Sequence, residues 1–149
     1  MVAYAHGPVV AERILQELQP YVPPQLLPAF RYCLEQPDRP VSVEQLAAAC
    51  GIKRRALEYR FGKAGLPPPA GCCARCRLFL AVHHLEHQTD SLEHVALDHA
   101  FATAAALRKS ALRHLGMTVN SLRRKGAFEE VLVGVIDDIR QGTRPLCDQ

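Results

Sequence analysis

The stretch SVEQLAAACGIKRRALEYRF, Ser42 to Phe61, returns in altered form as SLEHVALDHAFATAAALRKSA, Ser91 to Ala111. Ser42, Glu44, Leu46, Ala47, Gly51 and Ile52 recur as Ser91, Glu93, Val95, Ala96, Ala100 and Phe101, at a constant offset of 49. Past the turn the offset becomes 50, because Leu57 and Phe61 correspond to Leu107 and Ala111. The second turn therefore holds one more residue. A small Ala47 or Ala96 lets two helices approach closely, and Gly51 can take the positive φ of a tight inter-helix turn. Each copy reads as a helix-turn-helix, and a repeat at this period is one supersecondary unit used twice. Ala100, in the place of Gly51, should strain its turn by up to about 1 kcal/mol if it sits left-handed.

Outward from these units, apolar spacing of three and four prevails and no segment alternates cleanly, so we expect an all-α protein. Val10, Ile14, Leu15 and Leu18 predict a first helix ended by Pro20, and Leu27, Phe30, Cys33 and Leu34 a second, from near Pro24 to before Pro37. Ser42 and Gln45 form a capping box, and Lys53 or Arg54 opens a helix that ends near Ala64. After Gly65-Leu-Pro-Pro-Pro69 a long helix is expected from about Ala70 to His87, a rod of about 27 Å. A short helix near Val119 to Lys125 and a last one near Phe128 to Arg140 follow, the last with a stripe of Val131, Leu132, Val135, Ile136 and Ile139. The expected architecture is two helix-turn-helix lobes joined by a long linker helix, with extra flanking helices at both ends. In residues, that is an N-terminal extension over 1–40, a central unit over 41–126 (lobes 41–66 and 90–126, linker 70–87) and a C-terminal helix and tail over 127–149. The flanking stripes are expected to pack in the core, a homodimer being their other use.

Length and composition narrow the function classes. A chain of 149 residues with an apolar share of 48% can bury a core. No apolar run approaches the roughly twenty residues of a membrane span, and Met1 to His6 lacks a signal layout, so a cytoplasmic protein without membrane contact is expected. Its cysteines, Cys33, Cys50, Cys72, Cys73, Cys76 and Cys147, should then be reduced.

The net charge is only +3, but it is blocked along the chain. Residues 51–77 carry +6 and residues 105–125 carry +6, while 1–50, 78–104 and 126–149 carry −2, −4 and −3. Both positive blocks fall on the second helix of a repeat and the segment after it, where a phosphate backbone would lie. Double-stranded DNA is the expected partner.

With these residues in place, the stretch from about Val41 to Lys125 resembles the DNA-binding region of AraC/XylS-type transcription regulators. The resemblance is carried by Leu46-Ala47, Gly51-Ile52, Leu57, Phe61, Gly65-Leu66, Arg77-Leu78, Ala81, Val95-Ala96, Phe101, Leu107, Gly116-Met117-Thr118 and Arg123-Arg124. It departs at Lys53, where the family has a capping Ser, at Ala100, where it has Gly, and at Ala111, Val119 and Leu122. The resemblance implies a sequence-specific regulator that sets two recognition helices in successive major-groove segments, with RNA polymerase a further partner. It places base reading at Arg54, Arg55, Glu58 and Tyr59 in the first lobe and at Thr103, Ala104 and Ala105, with Ala106, in the second. Lys53, Arg60, Lys63, Arg108, Lys109 and Arg113 would hold phosphates. Arg pairs bidentately with guanine and Glu accepts from cytosine, whereas alanine offers only a methyl, so lobe one should read and lobe two position.

Other chemistry finds less in the sequence. Cys73-Ala-Arg-Cys76 is formally CxxC, but Cys76 and His83 lie about 10 Å apart along a helix, too far for one metal, so neither metal nor cofactor is expected. Cys72, Cys73 and Cys76 are expected as core thiols, and His83, His84 and His87 as rim imidazoles. A thiol sensor would need Arg75 and Arg77 to lower a thiol pKa. No phosphate loop, nucleophile motif or carboxylate pair points to an enzyme, and a cysteine alkyl acceptor would lack its zinc-binding framework. The alternative is a protein-interaction module that keeps the fold without reading bases, which the Ala-rich second helix permits.

Overall fold

Ser42 Oγ accepts from the Gln45 amide at 3.1 Å while the Gln45 side chain accepts from the Ser42 amide at 2.8 Å. This capping box starts the first repeat where the sequence places it. The computed structural model describes residues 7–36 and 39–142. Met1 to His6, Pro37, Asp38 and residues 143–149, with Cys147, lie outside the described residues.

Among the described residues the chain is all-α. Helix α1 spans Gly7–Leu18 and a 3₁₀ turn at Pro24–Leu26 leads into α2, Leu27–Glu35. The first repeat is α3, Val43–Ala49, and α4, Arg54–Ala64. Helix α5, Pro69–His87, links it to the second repeat, α6, Leu92–Asp98, and α7, Ala104–Leu115. A short α8, Val119–Leu122, and α9, Ala127–Gly142, complete the described chain. Two helix-turn-helix units joined by a linker helix, with helices added at both ends, is thus the architecture. No described helix is long and apolar enough to cross a membrane.

The repeat survives in the hydrogen bonds. In the first turn the Ile52 amide donates to the Ala47 carbonyl at 3.0 Å, and in the second the Phe101 amide donates to Ala96 at 2.8 Å. Both bonds close the turn through a left-handed residue, Gly51 at φ +71° and Ala100 at φ +63°. Ala47 and Ala96 are buried where the paired helices meet. The second connection, 99–103, is one residue longer than the first, 50–53.

Helix α5 has 19 residues, about 28 Å of rod. It is more than a spacer between lobes. Cys72, Cys76, Phe79 and Leu80 are buried, as are Leu78, Ala81, Val82 and Leu85, so its apolar surface runs round the helix. Helices α1, α2, α3 and α4 cover it at one end, α6, α7 and α8 at the other, and α9 beside it. A helix that is apolar all round must be enclosed.

The flanking stripes supply much of that enclosure. Val10, Ile14, Leu15 and Leu18 of α1 are buried, as are Val131, Leu132, Val135 and Ile139 of α9. These stripes lie in the protein's own core and are not available as a dimer face. Because no atom lies within 4 Å of where a Cβ on Gly51 would stand, the cost of a side chain there is purely conformational. Ala100→Gly should therefore stabilise the fold, and Gly51→Ala destabilise it, each by up to about 1 kcal/mol in urea unfolding.

Candidate nucleic-acid interface

Leu57 and Phe61 fix how α4 sits: both are buried, four residues apart, so the side chains on the opposite face point to solvent. Lys53, Arg54, Arg55, Glu58, Tyr59, Arg60 and Lys63 are all exposed. In α7 the buried Leu107 and Ala111 do the same, leaving Thr103, Ala105, Arg108, Lys109 and Arg113 exposed and Ala104 half-buried.

The exposed residues of α4 are not equivalent. The Arg54 guanidinium donates from Nη1 to Glu44 Oε1 at 2.7 Å and from Nε to Glu58 Oε1 at 3.0 Å. Two of the expected base-reading side chains thus satisfy each other, with a carboxylate of α3 as third member. Hydrogen bonding to Arg54 holds the Glu44 carboxyl below its ordinary value. Arg55 has no carboxylate partner among the described residues and is the cation of the first turn that is ready for a new acceptor. Tyr59 is 66% exposed, with the Lys63 ammonium 5.8 Å from its ring centroid. Glu44 was missed by sequence reasoning because an Arg–Glu contact ten residues apart needs the inter-helix angle, which the sequence does not state.

The second helices of the two repeats also start differently. Lys53 is the N-cap of α4 and makes no side-chain cap bond, whereas Thr103 caps α7, its hydroxyl accepting from the Ala106 amide at 3.0 Å. Aligned on their caps, Thr103 matches Lys53, Ala104 and Ala105 match Arg54 and Arg55, and Arg108 and Lys109 match Glu58 and Tyr59. Thr103 in a cap before three alanines is a legible helix start.

The cysteine and histidine cluster divides into two environments. Cys33, Cys72, Cys73 and Cys76 are buried and gather beside Ala29, Phe30, Leu46 and Phe61 in the core. Burial pushes the Cys72 thiol up to about 12 against the opposing influence of Arg75. A hydrogen bond with Cys33, and then burial, push Cys73 up against Arg77. The activation that a thiol sensor would need is reversed. Arg75 turns back to the Gly71 carbonyl at 3.1 Å, and Arg77 lies 5.4 Å from the Phe101 ring centroid.

His84 is not a rim imidazole as the sequence led us to expect. It is 2% exposed, with Nε2 at 2.7 Å from Asp90 Oδ2 and Nδ1 at 3.0 Å from Nε2 of the fully buried His99. With both rings neutral the Asp90 carboxylate fixes the tautomers: His84 Nε2–H donates to it, and His99 Nε2–H donates to His84 Nδ1. His83 is half-buried and stacks with the exposed His87, centroids 4.1 Å apart. No described group of His, Cys, Asp and Glu is arranged to hold a metal ion.

The helix-turn-helix domain family matches residues 46–125, more than half of the chain. The chain belongs to the AraC-type helix-turn-helix family. Within this AraC-type domain lie α4 and α7, the whole of α5 and the basic run Arg123-Arg124-Lys125. In fold it is similar to the crystal structure of a transcriptional regulator from Chromobacterium violaceum, described as an AraC-type DNA-binding domain-containing protein. The TM-score is 0.62 at 23% identity, over 67% of this chain and 89% of that one. No curated protein matches the chain.

Two outcomes follow from this geometry. Burial pushes His99 down to about 3, below the unfolded value, so the unfolded chain takes up a proton that the folded chain refuses. Stability should be full above about pH 6.5 and fall on acidification toward pH 3, by about 2 kcal/mol between pH 7 and 5. Urea unfolding across that range checks it, and His99→Gln should flatten the slope. Glu44→Gln should raise affinity for duplex DNA about threefold by releasing Arg54. That gain should vanish in Glu44→Gln/Arg54→Ala; if it persists there, simple loss of negative charge explains it.

Proposed function

We propose that this protein is a sequence-specific regulator of transcription that lays α4 and α7 in successive major-groove segments of one duplex. The observation that carries the reading is the doubled unit itself, each copy offering an exposed second helix whose buried side is apolar and whose outer side is basic. Lys53, Arg60 and Lys63 on the first unit and Arg108, Lys109 and Arg113 on the second are assigned to phosphates, which supply most of the affinity.

The units divide the work. Arg55 reads a base directly, while Arg54 and Glu58 read only after exchanging each other for base edges, and Tyr59 offers a flat apolar face beside them. In the second unit Thr103, Ala104 and Ala105 bring one hydroxyl and two methyls, enough for thymine contact, and the places of Glu58 and Tyr59 are taken by Arg108 and Lys109, assigned to phosphates, so α7 chiefly sets position. The DNA-reading unit is assigned to 41–126, with RNA polymerase the partner that a regulator at a promoter would recruit or exclude. The alanines at the start of α7 favour one competing reading, an interaction module that has lost base recognition.

A duplex selected from a random pool decides between them. Arg55→Ala should lose about 1 to 3 kcal/mol on the selected duplex and little on a scrambled one. Lys109→Ala should weaken both equally. The wild-type log–log salt slope should lie near −5, for about six phosphates. Equal losses on both duplexes for Arg55→Ala, or weak binding blind to sequence, would favour the interaction module.

A further inference from the structure

Helix α9 runs back along the linker helix and is fastened at both ends. At its start the Glu86 carboxylate, near the end of α5, accepts from the Gly126 amide at 3.0 Å and the Phe128 amide at 2.7 Å. The Glu86 side chain is 9% exposed. The His83 ring meets Phe128 edge-on at 5.1 Å between centroids. Arg13 of α1 makes a two-pronged ion pair with Glu129, and its guanidinium lies 5.8 Å from the Phe128 ring centroid. Sixteen residues later the helix ends against the first repeat. A Cβ on Gly142 would stand 2.8 Å from the carbonyl oxygen of Gly65, the residue that terminates α4.

Sixteen residues give α9 a length of about 24 Å, close to that of α5 beside it. Between its two ends α9 packs on α5, on α7 and α8 of the second unit and on α1. Helix α1 in turn packs on α2, and α2 on α3 of the first unit. A single helix thus packs directly on the second unit and reaches the first at Gly65 and through α1 and α2, and these contacts would have to shift for one unit to turn relative to the other.

We infer that α9 is a clamp that fixes the separation and phase of α4 and α7, with Glu86 and Gly142 as its positioning residues. The inference rests on the DNA-reading proposal above. Its consequence is that the spacing of two half-sites is itself a specificity determinant. One inserted base pair moves the second half-site about 3.4 Å along the duplex axis and turns it by roughly 35°. A clamped pair of helices cannot follow that screw motion, whereas a pair joined by α5 alone can bend toward it. The small residue at 142 serves the same end, since a backbone carbonyl cannot yield to a Cβ as a flexible side chain can.

The test uses the full chain, the duplex recovered by selection and two derivatives with one base pair added or removed between the half-sites. Wild type should lose at least about tenfold in affinity on either derivative. Glu86→Ala and Gly142→Val should bind the parent duplex within about threefold of wild type and lose no more than about threefold on the derivatives. Faster amide exchange at Gly126 and Phe128 in Glu86→Ala, and in the last turn of α9 in Gly142→Val, should accompany the change. Gly142→Ala is a milder probe should the valine variant fail to fold. An unchanged spacing profile despite faster exchange overturns the clamp, as does unchanged exchange in all variants. A wild-type protein that binds its duplex but tolerates both derivatives overturns the clamp alone. One that binds no duplex overturns the DNA-reading proposal and the clamp with it.

Discussion

Enclosure of α5 is the constraint on which the rest of the molecule depends. A helix carrying Cys72, Cys76, Phe79, Leu80, Val82 and Leu85 around its circumference needs partners on every side and leaves only a little of itself to water, at Ala70 and His87 above all. At roughly 25 cal/mol per Å² of apolar surface, its partners gain most by surrounding it, and they come from both ends of the chain. The first repeat closes over the start of α5, the second over its end, and α1 and α9 fill the flanks. The linker is thereby both the connection between the two units and the wall against which each folds.

This arrangement has an electrostatic counterpart. The apolar sides of α4 and α7 are consumed by the core, so the charges on these helices have nowhere to lie but outside. What distinguishes them is the neighbourhood. Arg54 faces a carboxylate of the preceding helix and another one turn along its own, whereas Arg55, one residue on, faces neither. Two adjacent exposed arginines therefore differ in what a new acceptor would gain, because a group that must give up two charge-assisted bonds gains less from a new one.

Polar groups drawn inside the fold are linked to one another. Asp90, His84 and His99 form a chain at the junction of α5 and α6, joined by Arg123, whose guanidinium donates to the Asp90 carbonyl at 2.8 Å. The Cys72 thiol donates to the Pro67 carbonyl at 3.4 Å, in the Pro-rich entry to α5, and the Cys73 thiol lies 4.0 Å from the Val41 carbonyl, just before α3, so both tie α5 to neighbouring backbone. Both clusters sit where helices from different parts of the chain converge, and both do structural work there.

The sequence by itself determined what depends on neighbours along the chain. The two turns, the Ser42 capping box, the Pro-bounded helices, the stripes of α1 and α9 and the blocks of positive charge are local patterns: a period of three or four residues, a small residue, cap or proline at a fixed place, or a run of like charge. Tertiary structure alone decided which side chains meet across helices. Glu44 takes Arg54, Glu86 caps α9, His84 is drawn inward to Asp90 and His99, and burial at Cys72 and the Cys33 contact with burial at Cys73 outweigh Arg75 and Arg77. Each of these depends on angles and distances between helices, and a linear pattern of residues carries no value for either.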